Sequence, residues 1–293
     1  AAGFQLIVKD SSVSFNGQVV DRYLVKDLLG RGSFAVVYSA EDQRQEKEFA
    51  LKMIRLNRFP EEHQPEVRAE VNRLARSVSL LSHHNIVRLH TYGAADGMLY
   101  LATDLVEGFP LKERTGTPRP WEDVIQLLAP AVQAVAYAHS LGILHRDLRP
   151  ANLFIDRSGR LMVTDFGITR LLERVGLDLG ILISGIQDPE FRAPEEGLGE
   201  EVDGRADVYS MGAVLYELIT GRRPYSADTE LEVLQNQFHD VLPRPSALVP
   251  GLPPALELVM LKALAKKPAD RYRNMASFSS ALRKLAGTIS RPQ

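Results

Sequence analysis

The chain has no cysteine among its 293 residues. That excludes disulfide staples, thiolate nucleophiles and cysteine-ligated zinc, and leaves the redox compartment unmarked. Also missing is any apolar run near the ~20 residues needed to span a bilayer, and the N-terminus lacks a basic segment followed by an apolar one. The reading is therefore a chain without a membrane-spanning segment. Strong charge of one sign is lacking too. The 35 Lys and Arg nearly balance 37 Asp and Glu, for a formal net charge of −2, so neither nucleic acid nor an anionic membrane is indicated as the main partner. No repeat or low-complexity segment is present. Hydrophobic residues at 45% and charged residues at 25% match an ordinary globular protein, long enough for one large domain or two smaller ones.

Two regimes of hydrophobic periodicity follow each other. Roughly the first 100 residues alternate with period two, in "FQLIVKD", "SVSFNGQVVD", "YLVKDLLG", "AVVYSAED", "EFALKMI" and "MLYLATDL", with a hairpin signal at Asn16-Gly17. One helical stretch interrupts them from about Glu61 to Leu81, where Val67, Val71, Leu74, Val78 and Leu81 recur at helical spacing. After Gly108 the pattern is helical, and Gly142 and Gly221 stand where helix stops belong. The expected class is α+β: a small sheet with one helix, then a mainly helical part, with a break near Asp104 to Gly108.

Three features carry chemistry. In "LLGRGSFAVVY", Gly30 and Gly32 let backbone approach a phosphate. Ala35 takes the third place of a G-x-G-x-x-G pattern, and the strand that follows argues against a dinucleotide fold, which needs a helix there. Lys52 lies inside the apolar strand "FALKMI", where a charge costs several kcal/mol unless paired; Glu70 on the helix is a candidate partner. Within "HRDLRPANLFIDRSGRLMVTDFGI", Asp147 and Asn152 flank a short loop and Asp165 follows a strand, offering hard oxygen ligands suited to Mg²⁺. Each motif alone is an ordinary turn or cap, but their joint order points to phosphate chemistry.

The ordered series "GRGSFAVV", "FALK", "HRDLRPAN", "DFG", "APE" and "DVYSMG", followed by Arg271 in "PADRY", resembles the eukaryotic-type (Hanks-type) Ser/Thr protein kinase catalytic domain in its bacterial form, from about Tyr23 to Leu285. The resemblance implies a bilobal fold: a β-rich N-lobe with one helix over 23–104 and a mainly helical C-lobe over 105–288, with an added N-terminal β extension at 1–22 and a tail at 289–293. It implies ATP and Mg²⁺. The Gly30, Gly32 and Ser33 hairpin, with Val37, Ala50, Thr103, Asp104 and Val106, would bind ATP; Lys52 would hold its α and β phosphates. Asn152 and Asp165 would hold the metal, Asp147 would take the substrate hydroxyl proton and Arg149 would neutralise the moving phosphoryl group. Glu70 falls at the family's usual separation from Lys52. A count back from "LSHHNIV" lands instead on Leu74, and an insertion of about one helical turn reconciles the two.

The activation segment departs most from that pattern. Gln187 and Asp188 replace a Gly-Thr pair, so a carboxylate stands where a hydroxyl is usual, which would repel Asp147 or else reflect a rearranged loop, and only Thr169 and Ser184 offer hydroxyls in the segment. Glu195 with Arg271 resembles the family's buried ion pair, and Asp207 its anchor under the catalytic loop. The resemblance further implies a protein substrate, a cytoplasmic setting and room for a homodimer or regulatory partner. The rival expectation is a pseudokinase, a nucleotide- or protein-binding scaffold with little phosphotransfer, which Ala35, Asp188 and the helix insertion favour.

Overall fold

The computed structural model describes residues 5–6, 14–32, 34–179, 181–182, 188–197 and 201–289; Ser33, Ser184 and Gln187 lie outside them. In chain order the strands begin with β1 (Gln5–Leu6), β2 (Val19–Val20), β3 (Tyr23–Arg31), β4 (Ala35–Asp42) and β5 (Lys47–Arg55). Helix α1 (Gln64–Val78), β6 (Leu89–Ala95), β7 (Met98–Asp104) and β8 (Gly108–Pro110) follow, then α2 (Trp121–Ser140), β9 (Leu153–Asp156) and β10 (Leu161–Val163). The remainder is α3 (Ile168–Asp178), β11 (Ile181–Leu182), α4 (Pro194–Gly197), α5 (Gly204–Thr220), α6 (Glu230–His239), α7 (Pro245–Leu248), α8 (Pro254–Ala263) and α9 (Met275–Ile289). Contacts divide the chain into two units, one drawn from Ala1–His83, Val87–Glu107 and Gly167–Gly185, the other from His84–Ile86, Gly108–Phe166 and Ile186–Gln293.

The first unit is built on an antiparallel sheet in the order β2-β3-β4-β5-β7-β6. Side chains alternate between its faces. Val36, Tyr38, Leu51, Met53, Tyr100 and Ala102 point to one face and form a buried cluster with Tyr23 and Val25. Phe15 and Val20, from the stretch that turns at Gly17, join that cluster, with Phe15 edge-on to Tyr38 at 6.1 Å. The expected hairpin at Asn16-Gly17 is therefore a turn that lays one more short strand on the sheet. Helix α1 buries Val67, Val71 and Val78 of the expected stripe, with Ala75 buried where Leu74 was expected and Leu81 buried just beyond the helix end. The chain division near Glu107 sits slightly beyond Asp104, and α3 groups with the sheet because it packs on α1.

The second unit is centred on α5, buried on every side from Ala206 to Thr220 and apolar over most of its surface. It packs against α2, α8 and α9. Asp203 caps its N-terminus through Arg205 N, and Gly221 stops it at φ 70°, where a Cβ would stand 2.6 Å from Pro118 Cδ. A small sheet, β10-β9-β8, carries the loop residues discussed below. Across the unit, Arg271 grips Glu195 through two bonds of 2.6 and 2.7 Å, and its remaining donors reach the carbonyls of Ala265, Arg205 and Lys266.

Both partners are almost wholly removed from water, with side-chain exposures of 0% for Arg271 and 4% for Glu195. Glu195→Ala leaves a buried guanidinium without its counter-charge and is expected to cost about 3–5 kcal/mol in urea unfolding. A loss below about 1 kcal/mol would mean that the backbone carbonyls alone satisfy Arg271.

Candidate active site

The nucleotide-side candidates share one face of the sheet because their register puts them there. Val37 is paired with Lys52, and Lys52 with Leu101; Ala50 lies opposite both Ser39 and Thr103. Residues directly opposite, and those two apart, project to the same side. Val37, Ala50, Lys52 and Thr103 are thus on the face away from the aromatic cluster, and all four are half-buried. Thr103 Oγ1 donates to the Ala50 carbonyl at 3.4 Å. Gly30 pairs with Val37, and Gly32 N–H donates to the Ala35 carbonyl at 2.8 Å, closing the hairpin through the position where the usual third glycine is missing. At the end of β7, Asp104 receives Lys47 Nζ at 3.1 Å and pairs with His90 at 2.8 Å; burial opposes ionisation there, but these two hydrogen-bond partners hold its carboxyl below the ordinary range. The Asp104 N–H donates to Arg88, and Val106 is half-buried just beyond β7.

Lys52 is not paired with Glu70 here. Its Nζ donates to Thr169 Oγ1 of α3 at 3.2 Å. Glu70 instead accepts from Arg73 at 2.6 Å, one turn along α1. That hydrogen bond, with the charges of Arg73 and Arg174, holds the Glu70 carboxyl below its usual value. Thr169 as a partner of the lysine was not legible from sequence, since nothing in "DFGITR" marks it as more than a loop hydroxyl.

The loop carrying Asp147 is held from beneath by Asp207. Asp207 Oδ2 accepts from His145 N–H at 2.7 Å and meets His139 Nε2 at 2.7 Å, while Oδ1 accepts from Arg146 N–H at 2.7 Å. Arg146 has φ 62°, a left-handed backbone that a non-glycine residue adopts only at a cost of about 1–3 kcal/mol. The charge on Asp207 has reason to persist: burial would raise its pKa, yet the His139 hydrogen bond and the nearby imidazoles and amide outweigh that and lower it.

From this anchor a circuit of bonds runs through the site. The Asp147 N–H donates to His145 Nδ1 at 3.2 Å, which leaves the His145 Nε2 hydrogen for the Thr164 carbonyl at 2.8 Å. The N–H and Oγ1 of Thr164 both donate to the Asn152 carbonyl. Asn152 Nδ2 donates to the Asp147 carbonyl at 2.8 Å and to its Oδ2 at 2.7 Å. The Asn152 amide therefore spends both hydrogens on Asp147, and its Oδ1 is turned away from that carboxylate as an oxygen donor. Asp165, directly after Thr164, has φ 63°. Among the described residues no group of three or more His, Cys, Asp or Glu could hold a metal by itself. One amide oxygen and one carboxylate do fit Mg²⁺, which binds through few protein oxygens and completes its shell with water and phosphate.

Asp188 does not stand against Asp147 unscreened. Arg149 lies between them, NH1 donating to Asp188 Oδ2 at 2.7 Å and Nε 3.4 Å from Asp147 Oδ1. Arg223 grips the other Asp188 oxygen at 3.2 Å and Glu190 at 2.8 Å, and lies 3.6 Å from Glu217. Asp188 has φ 53°, a conformation that aspartate tolerates and a β-branched threonine does not. That explains a carboxylate where a hydroxyl was expected. Arg223 was missed in the sequence because "GRRPY" is distant in the chain and reads as a surface turn.

The chain belongs to the protein kinase domain family, whose model matches residues 23–283. It is 38% identical over 263 residues to the serine/threonine-protein kinase Pkn1 of Myxococcus xanthus, and 35% identical over 269 residues to the serine/threonine-protein kinase PknB of Mycobacterium tuberculosis. These alignments cover 87% and 89% of this chain, but the chain spans only 37% and 42% of those proteins. Among solved structures, the kinase domain of M. tuberculosis PknI superposes with a TM-score of 0.72 at 29% identity, covering 93% of this chain and 98% of that one. The α+β kinase fold expected from the sequence is thus the fold observed. No helix among the described residues is long and apolar enough to cross a membrane.

The Asp207 anchor has a pH signature. Its folded pKa lies below the ordinary 3.8, so its contribution to stability is present above that value and is lost as pH falls through the folded pKa. Asp207→Asn is expected to destabilise by at least about 2 kcal/mol near neutral pH, with the gap to the parent shrinking below about pH 4. Urea unfolding at neutral pH and at pH 3 checks this, and a gap independent of pH would refute it.

Proposed function

We propose that this domain transfers the γ-phosphoryl group of ATP to serine or threonine hydroxyls of a protein substrate. The observation that carries the reading is the circuit joining Asp147, Asn152, Thr164 and His145 on the Asp207 anchor. Such catalysis depends on positioning and electrostatic stabilisation more than on covalent chemistry by the protein. Asp147 orients the substrate hydroxyl and takes its proton as the new O–P bond forms and the bond to the ADP oxygen breaks. Lys52 and the Gly30 to Val37 hairpin hold the ATP phosphates, and Ala50, Thr103, Asp104 and Val106 border the base. Asn152 and Asp165 would hold Mg²⁺, which supplies charge neutralisation at the phosphates. Arg149 offers the remaining positive charge beside Asp147, kept in place by Asp188. The serine/threonine names of the similar proteins support the choice of hydroxyl.

Incubation with labelled ATP, Mg²⁺ and a generic basic protein is expected to label the substrate. Asp147→Asn and Lys52→Met should each lower the rate by at least about 100-fold. Equal labelling by parent and variants would eliminate the transfer reading, and nucleotide binding without transfer would leave the domain a scaffold. A second measurement concerns the guanidinium clamp. Asp188→Asn and Arg223→Met should each lower kcat/KM about tenfold with little change in KM for ATP, and the double variant should lose little more than the worse single one, because neighbours in one network do not act independently. Additive losses would show that Arg223 does not work through Asp188.

A further inference from the structure

Strand β3 does not run in simple register with β4. Tyr23 lies opposite Asp42 and Val25 opposite Ala40, but Leu28 comes opposite Tyr38 and Gly30 opposite Val37. Two bulges make the difference. In the first, Lys26 and Asp27 together face the single residue Ser39; in the second, Leu29 is the extra residue between Leu28 and Gly30. Each moves β3 by one place. Had the spacing set at Val25 continued, Leu28 would stand opposite Val37 and Gly30 opposite Ala35. The bulges therefore bring a glycine, not a leucine, beside Val37 on the nucleotide side of the sheet.

The first bulge is held by a side chain. Ser39 lies opposite Ala50, on the same face as Val37, and is buried. Its Oγ accepts from the Asp27 N–H at 3.0 Å and donates to the Asp27 carbonyl at 3.4 Å, so one hydroxyl serves both main-chain groups of a bulged residue. Other holds are weaker. Lys26 Nζ reaches Glu41 at 2.7 Å and Glu48 at 2.8 Å, but all three side chains are a third or more exposed, and such pairs contribute little. Leu28 and Leu29, 43% and 51% exposed, add little packing to fix the register.

We propose that Ser39 is a positioning residue for ATP: its hydroxyl keeps β3 bulged, and the bulge keeps Gly30 over the nucleotide. The inference rests on the kinase reading and deepens it by naming what sets the hairpin. With the first bulge lost and the second kept, Leu29 comes opposite Val37, and a leucine side chain fills the space that the glycine leaves for phosphate.

Ser39→Thr and Ser39→Val test this, because both residues are β-branched and suited to a strand and they differ by one hydroxyl. Ser39→Val should raise KM for ATP about tenfold with kcat within about twofold of the parent, and weaken binding of a fluorescent ATP analogue by the same factor. Ser39→Ala, which removes the oxygen and adds no bulk, should follow Ser39→Val, and Ser39→Thr should stay within about twofold of the parent. Hydrogen exchange across residues 26–31 should quicken in the Val and Ala forms alone. Equal KM and affinity in the Thr and Val forms would overturn the proposal, as would a loss confined to kcat or unchanged exchange in both forms that lack the hydroxyl. The affinity split without phosphotransfer in any form, parent included, would uphold the role of Ser39 and overturn the kinase reading instead.

Discussion

The two oxygens of the Asp207 carboxylate fix the conformation on which the site depends. They accept from two consecutive backbone amides, His145 and Arg146, and from the ring of His139. Without that charge the left-handed backbone at Arg146 and the turn that sends Asp147 toward Asn152 lose the acceptor that their two amides share. The order of dependence runs outward: α5, buried on all sides, fixes Asp207; Asp207 fixes the loop; the loop fixes His145, whose two ring nitrogens tie Asp147 to Thr164. A buried carboxylate with several donors is costly to disrupt, because removing its charge leaves polar groups unsatisfied where water cannot replace it.

Charge balance around Asp188 follows a different rule. Three carboxylates, Asp188, Glu190 and Glu217, face Arg223, and Arg149 serves Asp188 from the other side. Burial pushes the Glu217 carboxyl up to about 6 despite the Arg223 charge. The neighbouring Asp188 and Glu190 charges add to that rise only after burial, and Arg223 opposes it. Asp188 is the one of the three that meets both guanidinium groups, Arg149 at 2.7 Å and Arg223 at 3.2 Å. This is how a like charge near Asp147 becomes a means of holding Arg149.

Much of this was legible in the sequence because it was written in local periodicity. Alternation marked the strands, resemblance assigned Val37, Ala50, Lys52 and Thr103 to the nucleotide site, and only the strand register puts the four on one face; the spacing of Val67, Val71 and Val78 gave most of the buried stripe of α1. The Glu195–Arg271 and Asp207 contacts followed from resemblance. What was not legible depends on chain segments meeting at a distance: Arg223 with Asp188, His139 with Asp207, and Thr169 with Lys52. Charge alone left Asp188 either repelling Asp147 or marking a rearranged loop, and the position of Arg149 against both carboxylates, with φ 53° at Asp188, favours the second.

Helix α3 combines both cases. Its signal was local, since Ile168, Leu171, Leu172 and Val175 recur at helical spacing, yet the resemblance drew attention to a loop in that place. Its consequence was not local. A helix with one apolar face is stable only where something covers that face, and here the cover is α1. Lys52 donates to the Thr169 hydroxyl of that helix, while the carboxylate of Glu70 accepts from Arg73 on its own helix. The position of Thr169 follows from the burial of Ile168, Leu171 and Leu172 on the same eleven-residue helix, so a local apolar stripe sets a contact between residues 117 positions apart.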